Sequence, residues 1–130
     1  DDMDDTPVKT GGGDIQKKLE ENGFNTKDGL GYSGGDIQFY RELLGDYASS
    51  AEERLGELEK AMSESDWNSY MIKVHALKSV AKSVGDTKVF EQALALEQAS
   101  KAGKADTVRR DHAKMARDYE ASSKLIEENM

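Results

Sequence analysis

The sequence predicts an all-α protein, an up-down antiparallel four-helix bundle with a short extra N-terminal helix. Three observations lead to this fold class. The 130 residues include one proline, and β-branched runs are few. Apolar residues recur at three- and four-residue steps through four long segments, which is the helical period. The links between these segments are short and carry capping residues, so successive helices are expected to be antiparallel neighbours.

Composition excludes several classes of protein. The chain is 36 % hydrophobic and 34 % charged, which suits amphipathic helices around one core. It has no cysteine, so disulfides and thiolate chemistry are excluded. No apolar run approaches the roughly 18 residues of a membrane span. The formal net charge of −8 argues against nucleic-acid binding. This composition is compatible with a cytoplasmic domain and predicts no membrane contact by this domain.

The N-terminal part divides in two. Residues 1–13 are acidic and then glycine-rich, which predicts a flexible linker, with the folded domain at 14–130. The domain opens with DIQKKLEENG, where Ile15 and Leu19 lie one turn apart and Asn22–Gly23 provide a stop. This pattern predicts the short extra helix.

The first long helix is predicted to begin at Asp36, a favourable N-cap, and to continue to Met62 with one apolar face. Gly45 or Gly56 is the expected position of any bend. The Gly34–Gly35 pair before the helix has neither the preceding strand nor the lysine of a phosphate-binding loop, so it does not predict a nucleotide site.

Three further helices complete the predicted bundle. One runs from Trp67 to Val84 and is closed by Gly85, and the next spans 87–102 and ends at Gly103. The last runs from about Asp106 to the C-terminus, with His112 on its apolar stripe as a predicted core or boundary residue.

The helix at 67–84 carries an isolated histidine in a basic segment. On a helical wheel of about 100° per residue, His75 lies on the shoulder of the buried face, and Lys78, Ser79 and Lys82 share its flank. This segment holds three lysines and no carboxylate, a charge of +3, while the other residues, 15 basic and 26 acidic, sum to −11. A neighbouring lysine keeps an imidazole nitrogen unprotonated and attracts anions.

Several interpretations of His75 remain open from the residues alone. It could be an ordinary surface histidine among solubilising lysines. Metal binding lacks a second nearby ligand, and a Ser/His/Asp hydrolase would need a framework that a helix does not offer. The nearest carboxylates in sequence are Asp66 and Asp86, so we expect no local acid to orient the ring.

The run HALKSVAKSVG resembles the histidine-containing phosphotransfer (HPt) domain, whose pattern is His-x-x-Lys followed by Gly or Ser and later by Gly. The upstream segment GLGYSGGDIQFYRELLGDY and the downstream segment VFEQALALEQASKAGKAD also resemble HPt domains, of the type fused to bacterial hybrid sensor histidine kinases. The likeness extends over about 26–126. It implies that His75 is the phospho-acceptor, that Lys78 stabilises the phosphoryl group, and that Ser79 stands where many members have glycine. Val80 and Ala81 depart from the small polar residues often found there.

The resemblance also implies a function. An HPt domain has no nucleotide site of its own and is a phosphocarrier in a phosphorelay. It accepts a phosphoryl group from a receiver-domain aspartyl phosphate and passes it to another response-regulator receiver. It has no cofactor of its own, since the partner supplies Mg²⁺. The expected docking rim comprises Ile72, Ala76, Lys82, Phe39 and Leu43.

Two alternatives to the carrier function are kept. One is a degenerate HPt-like bundle that only binds or inhibits a partner. The other is an unrelated four-helix adaptor whose basic segment docks an acidic patch. The sequence also leaves open whether the domain is the cytosolic tail of a membrane-bound hybrid kinase.

Overall fold

The structure, a computed structural model, describes residues 12–130, with side chains from Ile15 onward. Regular structure within this range is helical throughout, which confirms the predicted all-α class. The helices are α1 (Gly12–Glu21), α2 (Thr26–Tyr32), α3 (Ile37–Ser49), α4 (Ala51–Ser63), α5 (Trp67–Val84), α6 (Thr87–Lys101) and α7 (Ala105–Glu128). None of these helices is both long enough and apolar enough to cross a bilayer. The linker predicted at 1–13 lies almost wholly outside the described range and stays a prediction.

The bundle is built from α5, α6, α7 and the consecutive pair α3–α4. Helix α6 packs between α5 and α7, and both α3 and α4 pack against α5 and α7. Short links join these helices, as the sequence predicts. Helices α1 and α2 pack together at one end of the bundle and reach α7 and α5, respectively.

The long helix expected over 36–62 is interrupted at Ser50, between α3 and α4. The backbone ladder continues across the break, because Ser50 N–H donates to Asp46 O at 3.1 Å and Arg54 N–H donates to Ser50 O at 2.9 Å. Gly45 and Gly56, where an interruption was expected, both lie inside helices. The break instead falls at a serine pair, whose hydroxyls can compete for backbone groups.

Helix α2 is a second short helix that the sequence pattern does not predict. Its N-cap Asn25 accepts a hydrogen bond from Asp28 N–H at 3.0 Å. Gly29 lies against the buried ring of Tyr40, where a Cβ atom would be 2.7 Å from the ring carbon Cε1. Two glycines within seven residues disfavour an isolated helix, so tertiary packing stabilises this one.

The core contains four tyrosines that are fully buried, and each hydroxyl has a hydrogen-bond partner, as buried polar groups require. The partners are Val84 O for Tyr40 (2.8 Å), the Asp86 carboxylate for Tyr47 (2.7 Å), His112 Nδ1 for Tyr70 (2.8 Å) and Tyr47 O for Tyr119 (2.7 Å). Burial raises the pKa of Asp86 and lowers the pKa of His112. His112 is 4 % exposed, so its predicted position in the core is confirmed.

The C-terminal end of α5 is fixed by several of these contacts. Gly85 ends the helix with a left-handed φ of 80°, and its carbonyl accepts a hydrogen bond from Asn25 N–H at 2.8 Å. Tyr40 reaches the carbonyl of the preceding Val84. Asp86 then caps α6 by accepting from Val89 N–H. These contacts fix both the direction and the rotation of α5.

We predict that Gly85→Ala is more destabilising than Gly103→Ala. Both glycines have positive φ, 80° and 73°, so both substitutions cost about 1–2 kcal/mol of backbone strain. A Cβ at Gly85 would also collide with the backbone carbonyl of Asn25, whereas a Cβ at Gly103 meets open space. Urea unfolding of the two variants measures the difference, and equal losses of stability would contradict this account.

Candidate functional site

The site is built on the solvent-facing flank of α5. Asp66 caps the helix by accepting from Ser69 N–H at 3.1 Å. The residues that face the core are Tyr70, Val74, Leu77, Ala81 and Val84. His75 lies beside this stripe with 56 % of its side chain exposed. The predicted shoulder position is confirmed, and solvent or a partner can reach the imidazole.

A carboxylate from the neighbouring helix orients the ring. Glu97 on α6 places Oε2 2.7 Å from His75 Nδ1. The expectation that no acid orients the ring is therefore wrong, because it considered distance along the chain only. Glu97 lies 22 residues away in sequence, but α5 and α6 are the most closely packed pair of helices.

Glu97 also holds two lysines. Lys78 Nζ lies 2.8 Å from Oε1, and Lys101 Nζ lies 3.7 Å from Oε2. The Glu97 side chain is only 6 % exposed. The contact with Lys78 is the main cause of a lowered pKa for Glu97, with His75 contributing in the same direction and burial opposing both. The carboxylate is therefore ionised at neutral pH.

This contact determines which ring nitrogen is free. An ionised carboxylate only accepts hydrogen bonds, so the 2.7 Å contact requires a proton on Nδ1. In the neutral ring, Nε2 then carries the unshared electron pair. His75 thus presents a nucleophilic nitrogen from a ring that its own fold holds in place.

The other basic and small residues predicted for the site lie along α5. Ala76 and Ser79 are exposed; Ala76 lies within the His75–Lys78 turn, and Ser79 directly follows it. Lys82 is exposed and its ammonium group lies 5.8 Å from the centroid of the Phe90 ring. Lys78 is the least exposed of these lysines, at 20 % of its side chain, because it turns toward Glu97.

The predicted apolar docking residues differ in their exposure. Ile72 is 58 % exposed and Phe39 is 45 % exposed, so both side chains are accessible to a partner. Leu43 is partly buried and packs against the core. Ile72 precedes His75 by three residues and lies on the same flank of α5.

Glu97 and Lys101 were not identified as site residues from the sequence. The position of Glu97 on α6 could have indicated its role. Glu97 follows Ala93 by four residues and adjoins Leu96, so it lies among the buried positions of its helix. A carboxylate in such a position requires a charged or hydrogen-bonding partner. Within residues 12–130, no cluster of three or more metal-ligating side chains is placed to hold a metal ion.

Comparison with protein-family models gives a match to the Hpt domain over residues 42–125, more than half of the 130 residues. The chain belongs to the Hpt domain family. The matched range contains His75, Lys78 and Glu97. This HPt domain is therefore a histidine phosphotransfer module of the kind used in phosphorelays.

A solved structure has the same fold as this HPt domain. It is a rice protein described as a histidine-containing phosphotransfer protein, with a TM-score of 0.72 and 15 % sequence identity. The alignment covers 95 % of this chain and 96 % of the rice chain. A comparison with curated protein sequences gave no significant match.

The difference in exposure between the two histidines of the HPt domain can be measured directly. We predict that diethyl pyrocarbonate modifies His75 rapidly and His112 only after unfolding, because their side chains are 56 % and 5 % exposed. Peptide mapping by mass spectrometry locates the adducts. The His75→Gln variant is the control and should give no rapid histidine adduct. Rapid modification of His112 in the folded protein would contradict the described core.

Proposed function

We propose that this HPt domain carries phosphoryl groups on His75 between receiver domains. The imidazole accepts the group from a receiver aspartyl phosphate, in a hybrid sensor histidine kinase or a separate protein, and a second response-regulator receiver takes it. The observation that carries the proposal is the exposed ring with Nδ1 bound to Glu97 and Nε2 free. The proposed setting is the cytoplasm, where a monomeric domain would meet its partners.

The chemistry assigns a role to Nε2. Its electron pair attacks the phosphorus of the aspartyl phosphate, an N–P bond forms, and the P–O bond to the aspartate breaks. The receiver regains its carboxylate. Mg²⁺ bound by the receiver supplies charge stabilisation to the transferring group, so the HPt domain needs no metal of its own.

Lys78 is the proposed stabiliser of the phosphoryl group. It follows His75 by one helical turn on the same flank, and its ammonium group is held by the Glu97 carboxylate, which also contacts the ring. A lysine stem is flexible and its ammonium has three donors. The ammonium can therefore interact with phosphoryl oxygens while it stays close to the carboxylate. Ser79 offers a hydroxyl on the neighbouring surface.

We predict that His75→Gln abolishes phosphorylation by a phosphorylated receiver domain and that Lys78→Ala slows it. Glutamine cannot replace the nucleophilic nitrogen, and alanine removes the local positive charge. Incorporation of an acid-labile, alkali-stable label measures both effects. Lys124→Ala, an exposed lysine on α7, is the matched control and should react at the normal rate.

The outcomes separate the carrier from the binding-only alternative. Absence of label with each phosphorylated donor tested, in a folded protein that still binds the donor, would show a degenerate HPt-like bundle. Equal rates for Lys78→Ala and the unsubstituted protein would remove Lys78 from the mechanism.

The proposed receiver-docking surface consists of Ile72, Ala76, Phe39, Lys82 and the exposed part of Leu43. Its two large exposed apolar side chains, Ile72 and Phe39, would be covered by the receiver. The apolar contacts would bring the aspartyl phosphate to His75, and Lys82 would add a positive charge at the edge.

We predict that Ile72→Asp slows phosphorylation by a receiver domain but not by phosphoramidate, a small donor that needs no docking surface. A charge at the centre of an apolar contact costs binding energy, while the ring and Glu97 are unchanged. Met130→Asp is the matched control, since Met130 is also an exposed large apolar residue, at 51 %. The docking assignment fails if the variant loses reactivity equally with both donors.

A further inference from the structure

The contact between Glu97 and the ring has a consequence for the phosphorylated state. Resting on the proposed function, we propose that Glu97 is a positioning residue that keeps Nδ1 protonated after Nε2 is phosphorylated. The phosphorylated ring then remains a ready phosphoryl donor at neutral and mildly alkaline pH. The effect concerns transfer out of His75 and is distinct from the accepting step.

The leaving group decides the ease of transfer out. When Nδ1 carries a proton, the N–P bond electrons return to Nε2 and the ring departs as neutral imidazole. When Nδ1 is unprotonated, the same step expels an imidazolate anion, a far poorer leaving group unless a proton arrives with it. A proton held on Nδ1 therefore allows transfer in both directions without any proton movement.

Phosphoryl transfer to His75 and transfer away from it each form one bond to phosphorus and break another. Neutral His75, with its proton on Nδ1, takes the phosphoryl group on Nε2 and becomes a phosphoimidazolium with one positive charge on the ring. That charge forms next to the Glu97 carboxylate. The reverse step breaks the N–P bond, forms a P–O bond to the acceptor aspartate and restores the neutral ring.

The geometry of Glu97 suits this role. Its side chain is 6 % exposed, and its second oxygen is held by Lys78 at 2.8 Å, so the carboxylate is fixed against the ring. A charge-assisted hydrogen bond of 2.7 Å favours the protonated form of its partner. Little solvent reaches the carboxylate to weaken this interaction.

The other charges around His75 must be weighed against Glu97. Lys78 and Lys101 disfavour a ring cation, but both bind the carboxylate and neither forms a hydrogen bond or ion pair with the ring among the described residues. On α4, Glu57 pairs with Lys73 at 3.5 Å. Further along α5, Lys82 lies over Phe90. Charged side chains on α2 and α3 are Lys27, Asp28, Arg41, Glu42 and Asp46; α4 adds Glu52, Glu53, Arg54, Glu59 and Lys60, and α6 adds Lys88 and Glu91. Among the described residues, none of these side chains forms a hydrogen bond or ion pair with the ring. The direct contact with Glu97 is thus the strongest effect on Nδ1.

The test compares Glu97→Gln with Glu91→Gln. Both residues lie on α6 and both changes remove one negative charge, but Glu91 is exposed and has no contact with His75. Each ¹⁵N-labelled protein is phosphorylated with phosphoramidate. The pH at which the phosphorylated ring loses its Nδ1 proton is then followed by NMR. We expect this pH to be lower by about one unit or more in Glu97→Gln, and unchanged in Glu91→Gln. If the phosphorylated ring loses this proton at the same pH in the unsubstituted protein, Glu97→Gln and Glu91→Gln, the inference is overturned.

A second readout is the pH dependence of transfer from the phosphorylated protein to a receiver domain. The rate of the unsubstituted protein should be level between about pH 6 and pH 8. In Glu97→Gln it should fall by roughly tenfold per pH unit above the midpoint of the ring titration. A purely structural role for Glu97 would lower the rate equally at all pH values, which would overturn the inference.

The proposed function of the domain and the proposed role of Glu97 can fail independently. If Glu97→Gln does not fold, the unsubstituted phosphoprotein is titrated when folded and again in urea above its unfolding transition. Unfolding breaks the contact with Glu97, so the pH at which the phosphorylated ring loses its Nδ1 proton should then be lower by about one unit. The same pH in the folded and unfolded protein would overturn the inference. If phosphoramidate leaves His75 unmodified in the folded protein, the proposed function itself fails. If His75 is phosphorylated but its ring loses the Nδ1 proton at the same pH with and without the Glu97 contact, only the proposed role of Glu97 is overturned.

Discussion

One buried carboxylate organises the functional flank of this domain. Glu97 joins α6 to α5 through His75 and Lys78, and it binds Lys101 on its own helix. A buried charge is tolerated only when it is paired, so the carboxylate constrains the side chains around it. The same contact orders the lysine, fixes the tautomer of the histidine and directs the other ring nitrogen outward.

That arrangement is useful only if α5 has a defined rotation and length. The tyrosine hydroxyls and the turn at Gly85 provide both, since they bind the end of α5 to α2, α3 and the cap of α6. A rotation of α5 by one residue, about 100°, would move His75 away from Glu97. The packing of the core and the chemistry of the flank are therefore coupled through a single helix.

The proposed function would require this acidic protein to bind an anion. The segment that carries His75 has a charge of +3, but Lys78 is already neutralised in part by Glu97. In the proposed carrier function, an incoming phosphoryl group would meet a cation that is shared with Glu97. A shared cation would stabilise the bound group without holding it permanently, which would suit a carrier that must both accept and release.

The sequence by itself determined the helical class, most helix boundaries, the exposed position of His75 and the burial of His112. Each depends on periodicity and capping, which are local properties of the chain. Only the tertiary structure decided the break at Ser50, the existence of α2 and the pairing of His75 with Glu97. The break occurs within a stretch that the sequence pattern predicts as one long helix, and α2 is stabilised by packing against Tyr40. The pairing joins residues 22 positions apart, and contacts between helices are invisible to a pattern that describes one helix at a time.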